Sequence, residues 1–164
     1  MLKTRTATQA DAALIAAHRK AMCLAMKNAN ETSMKSVDEA VLEAVRRNSE
    51  PWVAKMIAEN KYFGWIVSDD GKPVASAGML ILDWPPHPFD PDGEHRAYLL
   101  NVFVELEYRR RGLAHELVRL CMAEAERRRI GVVTLHSSDE GRPIYESFGF
   151  HATNEMMHVE GSIA

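Results

Sequence analysis

The residues best placed to do chemistry are Arg109, Arg110, Arg111, Gly112, Leu113 and Ala114, a basic turn that runs into a small-residue helix start. The start of a helix leaves about four backbone N–H groups without partners and carries roughly half a positive charge. Backbone that approaches a ligand closely at such a point holds a phosphate or pyrophosphate, and Gly112 and Ala114 permit that approach. By itself the run also reads as a solvated charge cluster with an ordinary turn glycine, so its surroundings carry the decision.

Two elements position this turn. Before it, Ala97-Tyr98-Leu99-Leu100-Asn101-Val102-Phe103-Val104 is apolar, β-branched and aromatic almost throughout, the composition of a strand buried on both faces. After it, Leu113, Leu117, Leu120 and Cys121 recur at three- and four-residue spacing with Glu116, Arg119 and Glu126 opposite. That spacing predicts a helix from Gly112 to Arg128 or Arg129, ended by Gly131. A short buried strand, Val132-Val133-Thr134-Leu135-His136, follows. A strand-helix-strand crossover returns parallel and right-handed, so segments 97–104 and 131–136 are expected to run parallel. Ser137 and Glu140 stand at capping-box spacing and open a further helix with Tyr145 near its end. Gly149 closes that helix in the left-handed conformation, and Phe150 with residues 155–159 reads as a final hairpin.

Upstream, residues 2–7 alternate as an edge strand, and Thr8 with Asp11 caps a helix whose stripe of Ala12, Ile15, Ala16, Arg19, Met22, Cys23 and Met26 continues to about Lys27. A polar loop, 28–36, precedes a second helix over 37–48 and a third over 52–60, with Ser49 as cap and Pro51 in the first turn. Segments 62–68 and 73–84 form an antiparallel hairpin about Asp70-Gly71. Ala75, Ala77 and Gly78 suit a closely packed backbone. Residues 84–95 hold Pro85, Pro86, Pro88 and Pro91 and form an irregular surface loop, either a plain connector or a determinant of selectivity. The expected architecture is one mixed α/β (α+β) domain over 1–164, a central twisted mixed sheet of about six to seven strands flanked by helices.

A formal net charge of -3 argues against a general nucleic-acid or anionic-membrane binder, because either needs a broad basic surface. Cys23 and Cys121 lie far apart in apolar helical patterns and read as buried free thiols, which suits a reducing cytoplasm. The first residues lack the apolar core of a signal peptide, and no run approaches membrane-spanning length. The seven histidines show no H-x-x-x-H or H-E-x-x-H spacing, so no metal site is expected. A P-loop or dinucleotide fold is disfavoured, since neither G-K-[ST] nor G-x-G-x-x-G occurs at the turn.

The order strand, R-x-x-G-x-A turn, long helix, short strand and Ile144-Tyr145-Glu146-Ser147-Phe148-Gly149-Phe150 resembles the GCN5-related N-acetyltransferase (GNAT) superfamily over residues 97–164. The resemblance implies a parallel strand pair that splays, and transfer of an acetyl group from acetyl-CoA to a primary amine by direct attack in a ternary complex. It places the CoA pyrophosphate on the N–H groups of Arg110 to Ala114, with guanidinium help from Arg109, Arg110 and Arg111. Pantetheine pairs with the backbone of Val102 and Val104, and an N–H near Val102 or Phe103 stabilises the thioester oxygen. Tyr145 falls where the family carries its tyrosine general acid, and it also fits a residue that only packs against CoA.

The chain departs from the family pattern in several places. Ser138 stands where many members have a pantetheine-binding asparagine, so it either takes that job weakly or caps the helix. Gly141 replaces a small alanine, and Arg142 reaches a CoA phosphate or pairs with Glu146. Some members carry a glutamate or histidine base near the places of Tyr98 and Leu100. Here the candidates are Tyr98 through water, Asp83, His87, Glu94, His95 or bulk water. The region after the first strand implies an acceptor wall with Met22, Met26, Met34, Trp52 and Met56, each of which also suits an ordinary core. His18 reads as a surface or core histidine. The acceptor is a small-molecule or protein amine, without nucleic acid or membrane, and a homodimer is compatible with the resemblance. A CoA-binding regulatory or interaction module without turnover is the competing reading, motivated by the missing base.

Overall fold

Asp70 and Gly71 both take left-handed backbone, with φ of 45° and 87°, the geometry that closes a two-residue hairpin. In the computed structural model, which describes residues 1–29 and 37–159, this turn joins β2 (Tyr62–Asp69) to β3 (Lys72–Asp83) antiparallel. On the far side of β2 lies β1 (Leu2–Thr6), and β4 (His95–Val104) pairs the other side of β3, both antiparallel. The short β5 (Val133–Thr134) pairs β4 parallel, with Ala97 opposite Val133 and Tyr98 opposite Thr134, as the crossover requires.

Among the described residues the sheet therefore has five strands in chain order, not the six to seven expected. The shortfall lies after Phe150, where residues 151–159 form no strand. Met156 and Met157 are 94% and 69% exposed, so this segment lacks the buried face without which a hairpin is marginal in water.

Two helices cover one face of the sheet. A 3-10 turn over Gln9–Asp11 leads into α1 (Ala12–Asn28). The Thr8 N–H donates to the Asp11 carboxylate at 2.8 Å, and Arg5 grips the same carboxylate with both guanidinium nitrogens at 2.8 and 2.7 Å. That grip holds the Asp11 carboxyl down at about 2. Asp38 caps α2 (Glu39–Ala58) by accepting the Val41 N–H at 2.8 Å. One continuous helix thus replaces the two expected over 37–48 and 52–60, and Ser49 is no cap. Pro51 removes a single backbone donor at a cost of roughly 3 kcal/mol. Leu42 and Val53 are both buried three turns apart on one stripe, so packing against α1 and the sheet holds the two halves in one helix.

The other face carries α3 (Leu113–Arg127), whose Leu117, Val118 and Cys121 pack on Val67, Ala77, Leu99 and Val104. Arg129, at φ 57°, closes α3, and the Ile130 N–H reaches back to the Ala125 carbonyl at 3.0 Å. The expected terminator Gly131 instead docks the proline-rich loop: its N–H donates to Asp90 at 3.0 Å, and a Cβ there would meet that carboxylate at 2.9 Å. The last helix, α4 (Arg142–Ser147), also starts later than expected. Gly141 is its N-cap and no side chain caps it; the Gly141 N–H donates to the Ser138 hydroxyl at 3.1 Å, while Glu140 turns away to Arg109. Gly149, at φ 86°, ends α4 with the Gly149 N–H on Glu146 and the Phe150 N–H on Tyr145, as its type predicts. Cys23 and Cys121 are buried and free. Among the described residues no helix is long and apolar enough to cross a membrane.

Candidate active site

The ladder between β3 and β4 slips once. Ser76 lies opposite Phe103 and Gly78 opposite Leu100, so Asn101 and Val102 together face the single residue Ala77. Asn101 has φ 57°, the left-handed conformation of the first residue of such a bulge, which asparagine tolerates better than most. The extra residue resets the alternation: Ala97 and Leu99 face α3 before it, Val102 and Val104 after it. Parallel pairing covers only Ala97 and Tyr98 against Val133 and Thr134, so β4 leaves β5 as it nears the bulge. This is the splayed pair expected of the sequence, with a bulge that the period-two reading missed.

Beyond β4 the chain makes a 3-10 turn over Leu106–Tyr108 and then the basic turn. Arg110 and Gly112 both take positive φ, 58° and 78°, and the first helix-closing bond runs from the Glu116 N–H to the Gly112 carbonyl at 3.0 Å. The N–H groups of Leu113, Ala114 and His115 therefore precede the intrahelical ladder and point out of the start of α3. A Cβ on Gly112 would meet nothing within 4 Å, so this backbone is open to a ligand. Arg109 donates from Nε to the Val104 carbonyl at 3.3 Å and from Nη1 to Glu140 at 3.2 Å. Arg111 lies over the Tyr108 ring at 4.9 Å, and Arg110 is exposed. With Leu106, Glu107 and Glu140 the three arginines line a cleft of about 450 Å³.

Tyr145 of α4 is half-buried against the α3 core and stands edge-on to Phe150 at 6.1 Å. Burial pushes its phenol up to about 12. A Cβ on Gly141 would come within 3.1 Å of the Tyr145 ring and 3.2 Å of the Ser138 hydroxyl, so the bare glycine seats that ring closely. The Ser138 hydroxyl accepts the N–H of Gly141, the N-cap residue of α4. Arg142 is exposed on the first turn of α4, and among the described residues it makes no ion pair with Glu146.

Sequence reasoning missed His136. The Tyr98 hydroxyl and His136 Nδ1 are in close hydrogen-bond contact. The signal lay in the parallel register: with Tyr98 opposite Thr134, the residue two further along β5's path shares Tyr98's face. Burial, and then the charge of Glu155, raise the Tyr98 phenol. The other base candidates gather at the start of β4. Asp83 and His95 face each other at 3.5 Å, His87 turns onto Phe89, and Glu94 lines a second cleft of about 220 Å³ with Asp90, Asp92, Arg128 and Arg129. His18 is a core histidine, held neutral by burial that lowers it to about 4, with Nδ1 2.8 Å from the Ser76 hydroxyl and its ring on Phe103. Of the methionine wall, Met22 and Met26 are half-buried on α1, and Met56 packs into the core with Ala12, Ile15 and Val53. Trp52 stands edge-on to Tyr62, and Met34 lies outside the described residues.

Residues 28–164 match a family model described as an acetyltransferase (GNAT) domain. The chain belongs to the GNAT acetyltransferase family. A solved GCN5-related N-acetyltransferase from Ralstonia eutropha JMP134 is 30% identical, with a TM-score of 0.85 over 99% of this chain and 100% of that one. A predicted acetyltransferase from Clostridium acetobutylicum, solved with acetyl-CoA, is 22% identical with a TM-score of 0.83 over 98% of this chain and 96% of its own. Glucosamine-6-phosphate N-acetyltransferase from Arabidopsis thaliana is 18% identical with a TM-score of 0.61, and 99% of each chain is covered. The last two share the fold. No curated protein matches the chain. In this GNAT domain Val102 of the bulge, Leu113 and Ala114 at the start of α3 and Tyr145 of α4 all pack against one core cluster.

Proposed function

We propose that this protein transfers the acetyl group of acetyl-CoA to a primary amine by direct attack in a ternary complex. The observation that carries the reading is the opening beyond the Tyr98–Thr134 pair, with the bulge on one side and the basic turn beyond the end of β4. The pyrophosphate sits on the N–H groups of Arg110 to Ala114, where dipole and open backbone coincide. Arg109 exchanges Glu140 for phosphate, a charge-assisted contact that Arg110 and Arg111 reinforce. Pantetheine runs along the edge of β4 at Val102 and Val104, and the thioester oxygen takes its hydrogen bond from the amide of Val102 or Phe103.

Proton bookkeeping assigns the remaining side chains. The acceptor arrives as an ammonium and loses one proton to the Tyr98–His136 pair, where His136 Nδ1 receives it through the phenol. The free amine attacks the carbonyl carbon, a C–N bond forms, the C–S bond breaks, and the adduct nitrogen releases its second proton. The departing thiolate takes a proton from Tyr145, and the second proton released by the adduct nitrogen restores that phenol. With a base in place, turnover is favoured over a CoA-binding module without catalysis.

Free-thiol release from acetyl-CoA, measured against small amines, amino acids, aminoglycosides, polyamines and a peptide amine, tests the proposal. Release above the rate of hydrolysis with at least one class is expected. Tight acetyl-CoA binding with no release across the panel would overturn transfer. The Arg109–Glu140 pair supplies a second expectation. Exposed ion pairs are worth about 0.2–1 kcal/mol, so Glu140→Gln should tighten acetyl-CoA binding by about 1.4- to fivefold in calorimetry. Weaker binding in that variant would mean that Glu140 organises the site instead of competing for Arg109.

A further inference from the structure

Three side chains from three elements meet at the bulge in β4. Asn101 is 2% exposed, and both ends of its amide are engaged: Oδ1 accepts from Arg19 Nη1 at 2.8 Å, and Nδ2 donates to the Tyr62 hydroxyl at 3.2 Å. Tyr62 starts on β2 and reaches Asn101 across β3. Its ring lies on the facing pair Gly64 and Gly78: a Cβ on Gly64 would meet the ring at 3.1 Å, and one on Gly78 would overlap the phenol oxygen. Facing glycines weaken a sheet, because they lose side-chain packing and add chain entropy. Here they clear the track along which the phenol crosses to β4. Arg19 arrives from α1 on the same face, where Leu100 packs with Ala12, Ile15 and Tyr62.

A buried amide, a buried phenol and a guanidinium each cost free energy unless paired, and an aliphatic side chain at position 101 would fill the space without them. What asparagine offers there is tolerance of φ 57° together with two hydrogen bonds that lock its orientation. We infer that Arg19, Tyr62 and Asn101 form a clamp that fixes the bulge and thereby aims the amide of Val102 or Phe103 at the thioester oxygen. Arg19 and Tyr62 are positioning residues: they act through Asn101 and its backbone. The inference rests on the acetyl-transfer reading, since it assigns the bulge a reacting oxygen to face.

Asn101→Ala, Asn101→Gly and Tyr62→Phe test the clamp in the full chain, with kcat and the KM for acetyl-CoA measured using the amine that releases thiol fastest. Alanine is strained in the left-handed region, whereas glycine adopts it freely, so the glycine variant separates loss of the side-chain bonds from backbone strain. Small misplacements of a reacting geometry cost up to about a hundredfold in rate. Asn101→Ala and Asn101→Gly both remove the side-chain bonds, and each is therefore expected to lower kcat at least about tenfold with little change in KM. Tyr62→Phe, which loses one bond of the clamp, should fall between them and the wild type. A purely structural role predicts a lower melting temperature in all three and an unchanged kcat per folded molecule. Wild-type kcat in Asn101→Ala, or a glycine variant as fast as the wild type, overturns the clamp. A second readout does not need an acceptor. The ratio of acetyl-CoA to CoA affinity, by calorimetry, should shift in Asn101→Ala and in Asn101→Gly. An unchanged ratio in every variant overturns the clamp while leaving acetyl-CoA binding intact, whereas a wild-type protein that binds no acetyl-CoA removes the transfer reading itself.

Discussion

Tyr145→Phe is expected to lower kcat by at least about tenfold while leaving acetyl-CoA affinity nearly unchanged. The substitution keeps the ring that packs on the α3 core and stands edge-on to Phe150, and it removes only the proton donor. General acid catalysis contributes about 100- to 10,000-fold, and water entering the space of the lost hydroxyl recovers part of it. The pH profile carries an independent signature. Burial raises the phenol to about 12, so as pH rises from 7 to 10 the proton stays on Tyr145, and the wild-type rate should show no decline from its ionisation in that range. Thiol release under conditions where chemistry limits the rate checks both points. Full turnover in the phenylalanine variant would give the protonation step to solvent and leave Tyr145 as a packing residue.

Gly112→Val is expected to abolish stabilisation by acetyl-CoA and to leave the fold in place. Saturating ligand at about 100 times its dissociation constant stabilises a protein by roughly 2.7 kcal/mol, which reads directly as a shift in melting temperature. A Cβ at position 112 meets no protein atom within 4 Å, so the variant is not crowded by its own chain. It does hold an L-residue at φ 78°, which costs about 1–2 kcal/mol and lowers the melting temperature without ligand. The added isopropyl group stands where a pyrophosphate must approach the N–H groups at the start of α3. Thermal melts with and without acetyl-CoA measure the two effects separately. A ligand-induced shift equal to that of the wild type would place the anion site away from Gly112.

What the sequence determined by itself was local. Asp70-Gly71 is a hairpin turn because both residues accept positive φ, and Gly149 ends α4 for the same reason. The glycine between three arginines and an apolar stripe marks a helix start with open N–H groups wherever it is placed. The crossover through α3 forces β4 and β5 to be parallel. Each of these follows from residues within a few positions of one another, or from the handedness of the chain.

Only the tertiary structure decided the rest, because it depends on which distant residues come to lie together. Burial of Leu42 and Val53 against the rest of the core carries α2 straight through Pro51, overriding the local preference for a break. The segment after Phe150 found no apolar face to bury and stayed out of the sheet. The bulge at Asn101 is invisible to a period-two reading, since it exists only as a slip against β3. Tyr98 meets His136 across 38 residues, Asn101 meets Tyr62 across 39 and Arg19 across 82. A one-residue change of register would turn each strand side chain to the opposite face, so no local pattern could specify these pairs. The anion turn was legible because a helix start carries its own field, whereas the base and the clamp required strand register to bring their parts together.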